Sequence, residues 1–226
     1  MIFFDIDATL LDHERAERVA AFEFYNDYTE ELQLTQNEFM ILWMNHSSTK
    51  YYDKYLSKEV SFQEQRRLRM KDLFGHHLNN RQADLKFNDY LLSYRRNWTA
   101  YEDAVPCLES LKQLGNQLGI ISNGDYTQQI EKIHKIGIGL SKYFSHVITS
   151  SEVGVAKPDA KIFIEACKQA NVKMEESYYI GDRLEIDAIG STKAGMRGIW
   201  INRKDKTSHN DVIVINNLNE LTTLVI

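Results

Sequence analysis

From about residue 103 onward the chain alternates short apolar runs with amphipathic stretches, and this alternation limits the folds that it can adopt. The apolar runs predict strands at 118–122, 146–150, 177–180 and 198–202, with a short last strand at 211–215. The amphipathic stretches predict helices at 104–114, 126–136, 159–170, 184–194 and 218–225. Strand–helix alternation of this kind predicts an α/β fold, in which a parallel sheet carries helices on both faces.

The start of the chain belongs with this second half. Met1-Ile2-Phe3-Phe4 is an apolar run that predicts a buried strand, although periodicity alone does not separate it from a helix fragment. Residues 13–100 differ, since they contain no proline and a single glycine, Gly75. Their apolar residues recur at helical spacing, which predicts a bundle of about four helices. We therefore predict a core domain of residues 1–12 and 101–226, with residues 13–100 inserted as a helical domain.

Composition argues against several classes of protein. The 226 residues are 43% hydrophobic, which is enough for a substantial core. The formal net charge of -5 does not provide the basic surface of a nucleic-acid-binding protein. No apolar run approaches the ~20 residues of a membrane span, and Asp5 and Asp7 interrupt the N-terminus too early for a secretory signal. Cys107 and Cys167 fit no metal-binding spacing, so we expect buried thiols in a cytoplasmic protein.

Two carboxylates follow the predicted first strand, in the stretch Asp5-Ile6-Asp7-Ala8-Thr9-Leu10. Ligands of open α/β sheets bind outside the carboxyl ends of the strands. Residues i and i+2 of a strand share a side, so Asp5 and Asp7 could face one small space. Two close carboxylates repel, and such a pair is typical of a metal site or of acid–base chemistry. Taken alone, the pattern also fits a surface turn with two solvated acids.

Two further predicted strands end in groups that suit a phosphate. Ser122 ends one strand, and Asn123 and Gly124 follow it before a helix, where a hydroxyl and backbone N–H groups can hold an oxyanion. The same residues also form ordinary turns readily. Lys157 precedes Pro158, which restricts its backbone to extended conformations, and its ammonium group could neutralise phosphate charge. A solvated lysine before a helix is the alternative.

A fourth strand end adds two more acids. Asp182 comes directly after an apolar strand and Gly181, and Asp187 lies five residues further on. Acids near a helix N-terminus can simply be caps. A helix has one N-cap position, however, so capping accounts for one of these two acids better than it accounts for the pair. If the four strand ends converge, the carboxylates need a divalent cation. Hard oxygen ligands favour Mg²⁺, and the whole set predicts a site for phosphoryl transfer.

These motifs, in this order, resemble the haloacid dehalogenase-like (HAD) superfamily, on its Mg²⁺-dependent phosphatase branch with a helical cap inserted after the first strand. The resemblance rests on Asp5 to Leu10, Ile121 to Gly124, Lys157-Pro158 and Gly181 to Asp187, and it covers about residues 1–12 and 101–226. It implies a Rossmann-like core. Ala8 stands where glycine is commoner in the family, and we expect at most a slight shift of the turn there.

The resemblance also implies roles for individual residues. Asp5 would be the nucleophile that forms an aspartyl-phosphate, and Asp7 would be the general acid and base. Lys157 would stabilise charge on Asp5 and on the phosphoryl group. Phosphate oxygens would be bound at Thr9, Ser122, the backbone of Asn123 and Lys157. Mg²⁺ would be held by Asp5, the backbone carbonyl of Asp7 and Asp182, with Asp187 as an outer partner or a ligand through water.

Three other functions remain open. A 2-haloacid dehalogenase needs no metal and typically lacks the second aspartate of the first motif, so Asp7 and Asp182 argue against it. A sugar-phosphate mutase would keep all of these groups. A binding protein that retained the site without turnover would have no need of both Asp5 and Asp7.

The substrate is expected to be a small phosphomonoester, with nucleoside 5'-monophosphates, and thus a nucleotidase, favoured. Arg66 and Arg69 lie three residues apart on a predicted helix of the insertion and could contact the substrate, or could form an exposed face. Trp43, His46 and Tyr25 could stack on a base, but aromatics at this spacing are more often core. We expect a monomer or a homodimer, with neither a nucleic-acid polymer nor a membrane as partner.

Overall fold

The computed structural model of the protein describes residues 1–136, 142–205 and 208–224, except for the side chains of residues 45–49. The chain divides into two compact units, one formed by residues 1–13 and 99–226 and the other by residues 14–98. Within the first unit the backbone of Leu11 bridges to Ala100, and Asp12 N–H donates to Thr99 O at 2.9 Å. The insertion therefore begins and ends at one place on the first unit.

A six-stranded sheet forms the centre of the first unit. Its strands are β1 (Ile2–Phe4), β2 (Leu118–Ser122), β3 (Phe144–Thr149), β4 (Tyr178–Gly181), β5 (Arg197–Ile201) and β6 (Ile213–Ile215). Their order is β3-β2-β1-β4-β5-β6, and each neighbouring pair is parallel. The predicted α/β fold with a Rossmann-like parallel sheet is confirmed. The strand order reverses between β1 and β4, which is where ligands bind in sheets of this type.

Helices make up most of the insertion, for which we predicted a bundle of about four. They are α1 (His13–Asp27), which starts in the first unit, α2 (Gln36–Ile41), α3 (Ser48–Leu56), α4 (Phe62–Phe74) and α5 (Asn80–Arg96), and a π-helical segment, Leu42–Ser47, joins α2 to α3. Thr35, Ser61 and Asn79 cap α2, α4 and α5 by accepting a backbone N–H three residues on. Phe24 packs at the centre of this unit against the rings of Phe39 and Trp43.

The remaining helices flank the sheet of the first unit. They are α6 (Ala104–Gln113), α7 (Tyr126–Lys135), α8 (Ser150–Val153), α9 (Ala160–Ala170), α10 (Gly190–Ala194) and α11 (Leu221–Leu224). The helix predicted at 184–194 begins as a π-helical segment, Leu184–Ile189, and continues as α10. Residue 225, where we predicted the last helix to end, lies outside the described residues. Among the described helices, none combines the length and the apolar character needed to cross a membrane.

Apolar side chains from strands and from α9 form the main core of the first unit. This cluster consists of Phe3, Ile121, Ile148, Ile162, Phe163, Ala166, Cys167, Tyr179 and Met196. Cys107 and Cys167 are both buried free thiols, as expected. Because β1 is the third strand of six and pairs on both sides, its end is held rigidly by β2 and β4. The acids that follow β1 are therefore attached to an inner strand of the sheet.

Candidate active site

The turn that follows β1 carries the first two acids. Asp5 N–H donates to Ile180 O at 2.8 Å, so Asp5 still pairs with β4. Leu11 N–H donates to Ile6 O at 2.9 Å and closes the turn. Ala8 lies within it at a φ of 57°, in the left-handed region that glycine adopts without strain. The departure from the family pattern at this position therefore has a structural consequence, because alanine is held in a conformation that costs it free energy.

Three carboxylates meet at the ends of β1 and β4. One carboxylate oxygen each of Asp5, Asp182 and Asp187 lies within 4.8 Å of the other two. Asp5 and Asp187 are buried, and Asp182 is half-buried. Gly181 allows this approach, since a Cβ at that position would lie 2.4 Å from Asp187 Cγ. Trp200 Nε1 donates to Asp182 O at 2.8 Å and fixes the backbone of that acid. The structure thus brings together the first acid after β1 and the two acids that follow β4.

Burial and mutual repulsion raise the pKa of two of these acids. Burial is the main cause for Asp5, whose pKa rises to about 6, while Lys157 opposes the rise and Asp187 adds to it. Burial, followed by the charges of Asp187 and Asp5, raises the pKa of Asp182 to about 7. A divalent cation would reverse both shifts. Asp5 Oδ1 accepts no well-aligned hydrogen bond from any described residue, which leaves this oxygen available to a cation. The three carboxylates offer hard oxygen ligands, and such ligands fit Mg²⁺.

Lys157 provides the positive charge of the cluster. Its Nζ donates to Asp187 Oδ1 and to the Tyr179 hydroxyl, both at 2.7 Å, and lies 3.1 Å from Asp5 Oδ1. Burial lowers the pKa of Lys157, but the carboxylates of Asp187 and Asp5 outweigh burial and raise it. The Tyr179 hydroxyl in turn donates to Ile121 O at 2.9 Å. Lys157 therefore stays charged and is held in one orientation.

Asn123 connects the end of β2 to Lys157, and Ser122 contacts α7. The amide of Asn123 pairs with the backbone of Lys157, accepting from its N–H at 2.8 Å and donating to its carbonyl at 3.1 Å. Ser122 is buried, and its hydroxyl accepts a hydrogen bond from Gln129 Nε2 at 2.8 Å. The serine hydroxyl and the loop before α7 thus lie at the same edge of the sheet as the acids. Their contact with phosphate stays a prediction.

Asp7 has a different environment from Asp5. Lys132 Nζ donates to both oxygens of its carboxylate, at 2.7 and 2.6 Å. Gln129 Nε2 lies 3.3 Å from one of them, and His13 Nδ1 lies 3.7 Å from the other. Burial by itself raises the pKa of Asp7, but Lys132 and His13 outweigh it, so that this pKa falls below its ordinary value. Two acids that are two residues apart are therefore shifted in opposite directions.

Thr9 is buried in the same turn, and its carbonyl accepts a hydrogen bond from Arg203 Nη2 at 2.8 Å. Arg203 also forms a two-pronged pair with Asp103, at 2.9 and 3.0 Å. This contact supports the turn from outside the sheet. A direct contact of Thr9 with phosphate stays a prediction.

Comparisons with known proteins give the same family as the motifs. The family model of the haloacid dehalogenase-like hydrolases matches residues 1–195. A glyceraldehyde 3-phosphate phosphatase from Methanothermobacter thermautotrophicus is 33% identical over 99% of this chain and 98% of its own length. The chain belongs to the haloacid dehalogenase-like hydrolases.

Three other similarities place this HAD-like hydrolase among its relatives. A glyceraldehyde 3-phosphate phosphatase from Methanopyrus kandleri is 41% identical, but the match covers only 57% of this chain and 54% of the relative. A HAD phosphatase from Thermococcus onnurineus has a similar structure, with a TM-score of 0.71 and 26% identity over 99% of this chain and 96% of its own. A 2-haloacid dehalogenase from Pseudomonas syringae has a TM-score of 0.72 and 25% identity, over the same shares. The predicted family is confirmed, and the relatives support the predicted class, a phosphoric monoester hydrolase.

The two arginines that we predicted as substrate contacts lie in the insertion of the HAD-like hydrolase. Arg69 is buried, with its guanidinium 4.3 Å from the centre of the Trp43 ring and 3.8 Å from Glu17 Oε1. Arg66 is half-buried and stacks on Phe62 at 4.1 Å. Neither forms a simple exposed face, and their contact with a substrate stays a prediction.

The aromatic residues that we considered for stacking on a base are also placed by the structure. Trp43 is fully buried in the core of the insertion. The hydroxyl of Tyr25 donates to Leu34 O at 3.1 Å. The side chain of His46 lies outside the described residues.

Sequence reasoning missed three residues that contact the predicted site. Gln129 and Lys132 lie three residues apart on α7, the helix that directly follows Ser122, so a buried polar face could have been read from their spacing. Tyr179 stands two residues before Gly181 in β4. Side chains alternate along a strand, so Tyr179 was a candidate for contact with the site. A hydroxyl on an apolar strand was the available signal.

Proposed function

We propose that this chain is a Mg²⁺-dependent phosphatase that hydrolyses small phosphomonoesters through an aspartyl-phosphate on Asp5. The observation that carries the proposal is the meeting of Asp5, Asp182 and Asp187 with Lys157 at the ends of β1 and β4. A structural ion pair would need one acid for one lysine. Here Lys157 pairs with both Asp5 and Asp187, Asp182 is a third acid of the same cluster, and the pKa values of Asp5 and Asp182 are raised. An excess of buried negative charge is what a cation site requires.

Asp5, Asp182 and the backbone carbonyl of Asp7 would hold the cation. When bound, Mg²⁺ neutralises negative charge on the acids and on the phosphate ester. Asp187 is fully buried and accepts hydrogen bonds from Lys157 and the backbone N–H of Arg183, and the Tyr179 hydroxyl lies 3.2 Å from its Oδ1. Those contacts support the outer position proposed for Asp187, since its oxygens are already engaged.

The chain's own residues supply the two chemical steps. A carboxylate oxygen of Asp5 attacks phosphorus, the bond from phosphorus to the ester oxygen breaks, and Asp7 gives its proton to the leaving alcohol. Asp7 then takes a proton from water as that water attacks phosphorus, which releases inorganic phosphate and restores Asp5. Lys157, Ser122, Thr9 and the backbone of Asn123 would stabilise the charge on the phosphoryl oxygens during both steps.

For the substrate we propose a small phosphorylated metabolite rather than a large ester. A relative that matches along nearly the whole chain is named for glyceraldehyde 3-phosphate, which makes a triose phosphate the first compound to test. Nucleoside 5'-monophosphates remain a second choice. Burial of Trp43 in the insertion's own core removes one support for base stacking. Residues 14–98 would select the substrate.

A phosphate-release screen tests this proposal. The full chain is incubated with triose phosphates, sugar phosphates, nucleoside 5'-monophosphates and 4-nitrophenyl phosphate, with millimolar Mg²⁺ or with a chelator. We expect phosphate release that depends on Mg²⁺. Chloride release from a 2-haloacid without Mg²⁺ would identify a dehalogenase, and isomerised sugar phosphate without free phosphate would identify a mutase. Mg²⁺ binding without turnover of any ester would favour a binding protein.

A further inference from the structure

The predicted general acid has a lysine partner that lies outside the four sequence motifs named above. Lys132 Nζ donates to both carboxylate oxygens of Asp7, at 2.7 and 2.6 Å. The Lys132 side chain is 5% exposed, whereas that of Asp7 is 28% exposed. The lysine therefore reaches the acid from the protein interior, and the carboxylate keeps an open side toward solvent.

Burial of a lysine on α7 is costly unless its charge has a partner. Gln129, one turn earlier on the same helix, is buried as well, and its Nε2 reaches Ser122 Oγ at 2.8 Å and Asp7 Oδ2 at 3.3 Å. Two polar side chains of α7 thus converge on the turn that carries Asp7.

We propose that Lys132 is a positioning residue that fixes the carboxyl group of Asp7 for proton transfer to the leaving alcohol. This inference rests on the proposed phosphatase function. In the first step the bond between phosphorus and the ester oxygen breaks, the oxygen keeps the electron pair, and the proton of Asp7 moves to that oxygen. Lys132 neither gains nor loses a proton. Lys132 donates to both oxygens of the ionised carboxylate. When Asp7 carries its proton, Lys132 donates to the carbonyl oxygen and the hydroxyl oxygen presents the proton, so the lysine restricts the rotation of the carboxyl group. Proton transfer is sensitive to such restriction because it requires the donor at hydrogen-bond distance.

The test uses two esters that differ in their need for that proton. Glyceraldehyde 3-phosphate, or the alkyl phosphate that the screen shows to be hydrolysed best, releases an alcohol and needs a general acid. 4-Nitrophenyl phosphate releases a stable phenolate and does not. The value of kcat/KM reports the steps up to phosphorylation of Asp5, so it excludes hydrolysis of the common intermediate. We expect Lys132→Met to lower kcat/KM about tenfold or more for the alkyl ester and less than about threefold for the nitrophenyl ester.

Lys135→Met is the matched control, because it removes an exposed lysine from the same helix and should leave both values unchanged. Lys132→Arg keeps the charge and the donors and should restore part of the alkyl-ester activity. If Lys132→Met does not fold by circular dichroism, the same ratio is measured for Lys132→Gln. An equal loss with both esters would show a structural role and overturn the inference, and so would no loss with either. Wild-type protein that hydrolyses neither ester would instead overturn the proposed function.

Discussion

Buried charges occur in both units of the molecule, but the two units stabilise them differently. At the ends of β1 and β4, Lys157 faces Asp187 at 2.7 Å and Asp5 at 3.1 Å, and Asp182 adds a further acid to the cluster. In the insertion, Arg69 is buried over the ring of Trp43 and lies 3.8 Å from a single acid, Glu17. The first arrangement has excess negative charge, whereas the second is balanced.

The excess negative charge distinguishes the cluster at the ends of β1 and β4, for which we propose a cation, from the balanced pair in the insertion. A balanced pair supported by aromatic rings can serve packing alone, since guanidinium groups stack well on such rings. An unbalanced cluster costs stability unless something else neutralises it. We therefore expect metal, pH and substitution to affect the first region strongly and the second weakly. The following experiments test this difference, from the largest expected effect to the smallest.

Replacement of Asp5 by asparagine should have the largest effect. Asp5→Asn removes the attacking oxygen and should lower kcat by about a thousandfold or more. Because it also removes one of three mutually repelling carboxylates, the metal-free variant should melt at the same temperature as the wild type or higher. Phosphate release and thermal melts in chelator check both parts. Unchanged activity would reject Asp5 as the nucleophile.

Removal of Lys157 should destabilise the protein more than removal of Arg69. Lys157→Met leaves Asp5 and Asp187 buried without a counterion, which should lower the free energy of unfolding by about 3–5 kcal/mol. Arg69→Met retains the apolar contact with Trp43 and removes the charge that faces Glu17, so we expect a loss of about 1–3 kcal/mol. Urea denaturation of both variants measures the difference. A larger loss for Arg69→Met would show that the two regions have been ranked wrongly.

The metal-free protein should lose stability as pH rises from about 4 to about 7. The folded-state pKa values of Asp5 and Asp182, about 6 and about 7, lie above the ordinary values of aspartates. Between the unfolded and the folded pKa of these two acids the native state binds more of their protons than the unfolded state, so the stability linked to Asp5 and Asp182 is fully present below this window and is lost as pH rises through it. The fall should be on the order of 1–3 kcal/mol.

Mg²⁺ should flatten this pH dependence and raise the melting temperature, since it binds only the folded state. At a hundred times its dissociation constant it should raise the free energy of unfolding by about 2.7 kcal/mol. Urea denaturation at pH 5, 6 and 7, with chelator and with millimolar Mg²⁺, gives both curves. Identical curves would contradict the assignment of the acid cluster to a cation. Arg69→Met should leave the difference between the curves unchanged.

The smallest expected effect is at Ala8. Its φ of 57° is free of strain for glycine and costs alanine roughly 1 kcal/mol. Ala8→Gly also gives the unfolded chain more freedom, so the net gain in stability should be below about 1 kcal/mol. Gly115→Ala is the mirror control. Gly115 has a φ of 81°, and none of the described atoms lies within 4 Å of the place that an alanine Cβ would take, so only backbone strain should destabilise this variant. A clear loss of stability in Ala8→Gly would mean that the methyl group of Ala8 makes a contact that outweighs its strain.

Much of the fold could be predicted from the sequence, for identifiable reasons. The apolar runs at 118–122 and 198–202 are short, bounded by polar residues and separated by helical patterns, so period and length both favour strands. The motif order places Asp5, Ser122, Lys157 and Asp182 after successive predicted strands. The π-helical start of the helix at Leu184–Ile189 could not be predicted, because a helical pattern does not reveal its hydrogen-bond spacing.

The sequence by itself determined which residue types stand at the ends of the strands, because an apolar run followed by polar groups is a local pattern. Only the tertiary structure decided which charges meet. It paired Asp7 with Lys132, which is 125 residues away, and it buried Arg69 against Trp43. A local pattern indicates which secondary structure a segment forms. The pairing of distant charges depends on how the helices pack on the sheet, and no short segment contains that information.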